Sequence, residues 1–199
     1  MCEADKSVQI GGGRVIRAAQ PRDIGQIRAC ICEAIDTSPF YNADFKTFEK
    51  ARLNANFLRA LIAADPWFVP IVMFKGEFAG FVLTIPDCGV LWASWIYIHP
   101  RFRQTAIAVA AVGFLVRRWD NNRFHKTIAL VRPENTAAEA VNARFGFKRV
   151  AVLPNHIFGQ DYILMERPFN RTVDVYDPPL DTGRLTMLRL KLRQALGLG

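Results

Sequence analysis

Cysteine, histidine and long apolar runs are all scarce in this chain of 199 residues, and each shortage removes a class of function. The four cysteines are Cys2, Cys30, Cys32 and Cys88. Cys30 and Cys32 stand closer together than the usual metal or redox pair, which has two residues between its cysteines. The three histidines are scattered, so no Cys/His cluster of the zinc type is present. Free thiols in a reducing compartment are therefore expected. Residues 1–13 hold no basic segment followed by an apolar core, so a secretory leader is not expected. No apolar run approaches the roughly 18 residues of a membrane span. A cytoplasmic protein is the resulting expectation. No internal repeat and no interleaving of basic and aromatic residues is visible, so nucleic acid is not an expected partner.

What is present is globular. Hydrophobic residues make up 51% of the chain, with 15 Phe and 4 Trp, against 22% charged. That is enough apolar material for one domain with a proper core. The net charge of +8 favours anionic partners, coenzyme phosphates among them, without naming one.

Periodicity divides the chain into a regular order. Residues 1–13, ending in three glycines, read as a flexible lead, and 14–18 as a short strand. After Pro21, Ile24, Ile27, Ile31 and Ile35 recur at helical spacing. A second helix is predicted over 43–63, closed by Asp65-Pro66. Residues 67–74 and 78–85 form a predicted hairpin around Lys75-Gly76-Glu77, and 90–98 a further strand. A helix over 105–119, a strand over 126–131 and a helix over 134–145 follow, the last closed by Gly146. Strands at 147–153 and 161–166 finish the core across a loop at 154–159. Beyond Pro168, Asp177-Pro178-Pro179 reads as a linker. Residues 183–196 read as a basic amphipathic helix with Leu185, Leu188, Leu192 and Leu196 on one stripe. The domain is thus expected over 14–168 and an appended segment over 169–199. Self-docking, a protein partner, a second copy of the chain or an anionic surface would suit that helix.

Two segments carry chemical information. Ile98-His99-Pro100-Arg101-Phe102-Arg103-Gln104-Thr105-Ala106-Ile107-Ala108 ends a strand in a proline turn and leads through a basic loop straight into a helix. Unpaired N–H groups and the positive end of the helix dipole converge there, as a pyrophosphate requires. Downstream, Asn135-Thr136-Ala137-Ala138 opens a helix that ends in Gly146-Phe147 and runs into a strand.

The pair resembles the acetyl-coenzyme A core of the Gcn5-related N-acetyltransferase (GNAT) family over about residues 14–166. The resemblance implies an α/β fold with a mixed central sheet of six to seven strands flanked by about four helices. It implies acetyl-CoA as co-substrate. The pantetheine arm would lie between the strand holding Ile96 and Ile98 and the strand at 126–131. The pyrophosphate would rest on Arg103, Gln104, Thr105, Ala106, Ile107 and Ala108, with Asn135 and Asn142 beside the arm. A small-molecule or protein amine would attack the thioester carbonyl, assisted by a base and an acid.

This chain departs from the family pattern at working positions. Ala106 stands where the loop normally has its first glycine. Asn142 stands where the family places a tyrosine that protonates the leaving thiolate, and an amide cannot donate a proton as a phenol does. No Asp or Glu occurs between Val90 and Ile98, which leaves Tyr97 and His99 as the nearest titratable candidates for catalysis. Trp92 and Trp95 are candidates for a substrate cleft, whereas Arg132 and Glu134 read as solvated charges and His156 as a surface residue. These departures also suit a second expectation: a non-catalytic structural or assembly protein with the same fold, for example one associated with a tailed-phage virion, using the C-terminal helix as an interface.

Overall fold

A computed structural model describes residues 7–103 and 105–172. Among these residues eight strands form one mixed sheet in the order β1-β2-β3-β4-β5-β6-β8-β7. The strands are β1 (Ser7–Gly11), β2 (Arg14–Arg17), β3 (Ile71–Phe74), β4 (Glu77–Asp87), β5 (Val90–Ile98), β6 (Lys126–Val131), β7 (Lys148–Ile157) and β8 (Gln160–Pro168). Among the described residues five α-helices join them: α1 (Ile24–Thr37), α2 (Ala43–Arg52), α3 (Ala55–Ala64), α4 (Ile107–Trp119) and α5 (Thr136–Arg144). Every neighbouring pair is antiparallel except β5 and β6.

The count exceeds the expected six to seven strands because the glycine-rich lead is structured. Gly11, Gly12 and Gly13 all take positive φ and fold the chain tightly back, so β1 pairs with β2. The single helix expected over 43–63 is two. Leu53 leaves helical geometry, and the Asn54 side chain accepts from Asn56 N and Phe57 N to cap α3 afresh. The loop expected at 154–159 is mostly strand. Only Phe158 and Gly159 turn between β7 and β8, both with positive φ, as a two-residue hairpin needs. The amphipathic segment at 183–196 lies outside the described residues. Asn170 and Arg171, just past β8, donate backbone N–H groups to Asp120 at the end of α4.

The apolar face predicted for α1 is real: Ile24, Ile27, Cys30, Ile31 and Ile35 are buried. α1 is tied down at its start by Asp23, which accepts two hydrogen bonds from Arg17 at 2.7 and 2.8 Å. Under α4, Phe68 stacks on Trp119 and Trp67 meets Phe114. This aromatic layer fixes the helix whose first turn matters below.

Candidate active site

The sheet forks at its centre. β5 and β6 pair only over residues 90–92 and 126–128, after which β5 continues for six residues without a partner on that side. The cause is visible in the register with β4. Leu83 faces Trp95 while Thr84 faces Ala93, which leaves Ser94 as an extra residue. A bulge of this kind bends and twists its strand, here away from β6. The backbone edge of residues 93–98, Ile96 and Ile98 included, has no strand beside it at the opening and needs other hydrogen-bond partners.

At the end of β5, residues 100–102 make a single 3-10 turn, and Arg103 Nε donates to Ile98 O at 3.2 Å. The turn is steadied further by Thr105 Oγ1, which donates to Phe102 O at 2.6 Å. Gln104 lies outside the described residues. Ala106 adopts φ 56° and ψ 17°, so α4 starts at Ile107 and its first backbone bond is Ala110 N to Ala106 O. The N–H groups of Ile107, Ala108 and Val109 are therefore the free first-turn donors of α4.

The left-handed conformation explains why glycine suits this position: it costs an alanine about 1–2 kcal/mol. Glycine loses roughly half of that advantage through the greater entropy of its unfolded chain. Ala106→Gly is accordingly expected to raise stability by about 0.5 kcal/mol, and Ala106→Val to lower it by at least about 1 kcal/mol. Thermal denaturation of both variants checks this, and an equal fall in both would contradict the conformational reading.

A cleft of about 810 Å³ meets the fork at the bulge. Trp92, Ala93, Ser94 and Trp95 of β5 and Leu130 of β6 line it, together with Tyr41, Phe45, Phe48 and Glu49 from the α1–α2 region and His156 and Tyr162 from β7 and β8. Glu49 is buried, and both of its oxygens are taken. Arg52 donates to Oε2 and Oε1 at 2.7 and 2.6 Å, and Trp95 Nε1 donates to Oε1 at 2.7 Å. Tyr162 is buried, and its hydroxyl has no hydrogen-bond partner among the described residues. Burial pushes its phenol up to about 12, with Arg132 opposing the rise and Glu49 adding to it. Burial also raises the Tyr41 phenol, with Tyr162 and Glu49 adding to the rise. Both phenols are thus uncharged at neutral pH.

Arg132 is not the solvated charge expected from its position. It is buried, and it donates from Nε to Phe40 O at 3.0 Å and from a terminal nitrogen to Asp161 O. Gln160 Nε2 donates to Phe40 O, and Asn42 donates to Phe158 O and to Gln160 Oε1. These bonds tie the α1–α2 loop to the β7–β8 hairpin and hold the two walls of the cleft together.

The sequence-predicted residues divide between places. Ile96, Ile98, Arg103, Thr105, Ala106, Ile107 and Ala108 gather along the free edge of β5 and the start of α4. Asn135 caps α5, accepting from Ala138 N at 3.2 Å. Asn142 is buried on α5, and its carbonyl receives Phe145 N and Phe147 N. Tyr97 and His99 do not line the cleft. The Tyr97 hydroxyl donates to Glu33 Oε2 at 3.2 Å beneath α1, and burial, Cys30 and Glu33 raise its phenol. His99 keeps Nδ1 buried without a hydrogen-bond partner among the described residues. Sequence reasoning missed Tyr41, Phe45, Glu49 and Tyr162. One signal was available for Glu49: it stands four residues after Phe45, on the apolar stripe of its helix.

Solved structures share this architecture. PaiA N-acetyltransferase from Thermoplasma acidophilum, in complex with coenzyme A, superposes with a TM-score of 0.66 at 13% identity, covering 78% of this chain and 99% of that one. YncA from Salmonella typhimurium, solved with its cofactor acetyl-CoA, gives 0.62 at 18% identity over 83% and 99%. An acetyltransferase of the GNAT family from Streptococcus pneumoniae gives 0.63 at 16% identity over 79% and 99%. No curated protein matches the sequence. The model of the GNAT acetyltransferase family matches residues 31–147, a span from the middle of α1 to the Gly146-Phe147 exit of α5. With its forked sheet and basic loop inside that span, the chain belongs to the GNAT acetyltransferase family.

Proposed function

We propose that this protein transfers an acetyl group from acetyl-CoA to an amine held in the cleft beside the Ser94 bulge. The observation that carries the reading is the meeting of fork and cleft at one point. A coenzyme arm hydrogen-bonded along residues 93–98 would bring its thioester to the same bulge that floors the cleft. The pieces fit the co-substrate physically. The open β5 edge offers backbone donors and acceptors to an amide-bearing arm. The first turn of α4 offers three N–H groups and the positive dipole end to a pyrophosphate, with Arg103 adjacent. Gln104 joins this loop by sequence. Asn135 shapes the entry of α5, and the Asn142 amide is assigned a hydrogen bond to the sulfur.

In the reaction the amine nitrogen attacks the thioester carbonyl carbon. A C–N bond forms and the C–S bond breaks. The sulfur leaves as thiolate and takes up one proton, and the nitrogen gives up one. Among the groups in the cleft able to relay protons by hydrogen bonding are the neutral phenols of Tyr41 and Tyr162, the Ser94 hydroxyl and the His156 imidazole. Tyr97, whose hydroxyl donates to Glu33, and His99, which does not line the cleft, would act only through others. Unpaired Cys30, Cys32 and Cys88 suit a reducing, cytoplasmic setting. No helix among the described residues is long and apolar enough to cross a membrane.

Acetyl-CoA at about 100 times its dissociation constant is expected to add roughly 2.7 kcal/mol of stability. For a domain of this size that raises the melting temperature by roughly 5–11 °C. No shift at millimolar acetyl-CoA would favour the non-catalytic use of the fold. A second result is expected from Arg103→Ala. It should weaken binding of acetyl-CoA but leave binding of a pantetheine analogue lacking the pyrophosphate unchanged, as calorimetric titration would show. An equal loss for both ligands would remove Arg103 from the phosphate site.

A further inference from the structure

We infer that the acceptor is a monoamine carried on an aromatic or bulky apolar body, and not a polyamine or a lysine-rich peptide. The inference rests on the reading of the cleft as the acceptor side of an acetyl transfer.

Three independent features of the cleft point this way. The first is its wall. Tyr41 stacks on Phe45 at 4.2 Å, and Trp95 tilts against both rings at 5.7 and 6.5 Å, with Trp92 and Tyr162 completing an aromatic lining. Such rings bury an apolar body and attract an ammonium over their faces.

The second is charge. A polycation needs several free carboxylates to replace the water it loses. Among the described residues, two carboxylates line the cleft, Glu49 and Asp87. Glu49 is spent on Arg52 and Trp95. Asp87 is exposed at the far end of β4, where water already solvates it. The two phenols are held neutral, and Arg52 brings a positive charge to the same wall. A second or third ammonium would enter with no counter-charge waiting for it.

The third is the lip. Phe48 is 51% exposed and Phe158 is 43% exposed, and their rings lie 5.5 Å apart. They come from α2 and the β7–β8 turn, the two walls that Arg132, Asn42 and Gln160 tie together. Two of the five large hydrophobic side chains exposed among the described residues thus meet where Phe48 enters the cleft. The volume of about 810 Å³ leaves room for a body of two fused rings.

The test uses tryptamine and spermidine as probes on the full chain with saturating coenzyme A. Calorimetric titration is expected to show saturable tryptamine binding at least about tenfold tighter than spermidine binding, the margin one well-placed aromatic contact supplies. Phe48→Ala, at an exposed position that the fold does not need, should weaken tryptamine severalfold and leave spermidine unchanged. Spermidine binding as tightly as tryptamine, or tryptamine failing to saturate, overturns the inference. Mass spectrometry of the same mixture with acetyl-CoA separates the two readings. Tryptamine that binds as expected but is never N-acetylated would sink the transfer reaction and leave the ligand class standing. Spermidine acetylated in preference would sink the ligand class and leave the transfer standing.

Discussion

Gly80→Ala is expected to lower the melting temperature by roughly 6–12 °C, corresponding to about 3 kcal/mol in a domain of this size. Gly80 sits on β4 opposite Ile98, the last residue of β5. A Cβ built there would lie 2.1 Å from Tyr97 O and 3.1 Å from Ile98 Cα. Both obstacles are backbone, so no rotamer change relieves them. The end of β5 would have to move off β4, breaking the pairing there and the bond from His99 N to Ala79 O. That same strand end leads into the loop at Arg103 and Ala106, so acetyl-CoA affinity should fall with stability. Thermal melts with and without acetyl-CoA measure both losses. A melt within about 1 °C of the parent would show that β5 yields freely, against the packing described here.

Glu49→Ala should cost about 2–3 kcal/mol and open the wall of the cleft. Trp95 Nε1 would lose its acceptor in a half-buried site, which alone costs about 1–3 kcal/mol. Arg52 suffers less, since a third of its side chain is exposed and can recover water. Glu49→Gln keeps an acceptor for Trp95 but presents an amide to the guanidinium, and an intermediate loss is expected. Denaturant titration ranks the three proteins. If Gln and Ala cost the same, the carboxylate charge carries the whole effect and the Trp95 bond contributes nothing.

The fold was legible wherever local chemistry decided it. Gly146 ends α5 with φ 83° as a left-handed cap, and the helical spacing of the isoleucines in α1 maps onto its buried face. The segment from Ile98 to Ala108 was legible as a strand end, a turn and a helix start. What stayed hidden depended on partners distant in sequence. Glu49 reads as an ordinary helix charge until Trp95, forty-six positions away, is brought against it. Arg132 reads as solvated until the carbonyls of Phe40 and Asp161 surround it. The break between α2 and α3 was hidden for a different reason. Leu53 belongs to the apolar stripe, so periodicity runs on through the point where Asn54 restarts the helix. Ala106 misled by its good helix propensity, because tertiary placement holds it outside the helix.

The short seam between β5 and β6 divides the sheet into a five-stranded sector and a three-stranded one, sewn by only three residue pairs. In the proposed complex the coenzyme arm lies in the gap like a missing strand. Part of the rigidity of the sheet would then be lent by the ligand and returned with it. The amides of residues 93–98 that point away from β4 should exchange quickly in the free protein and slowly in the complex.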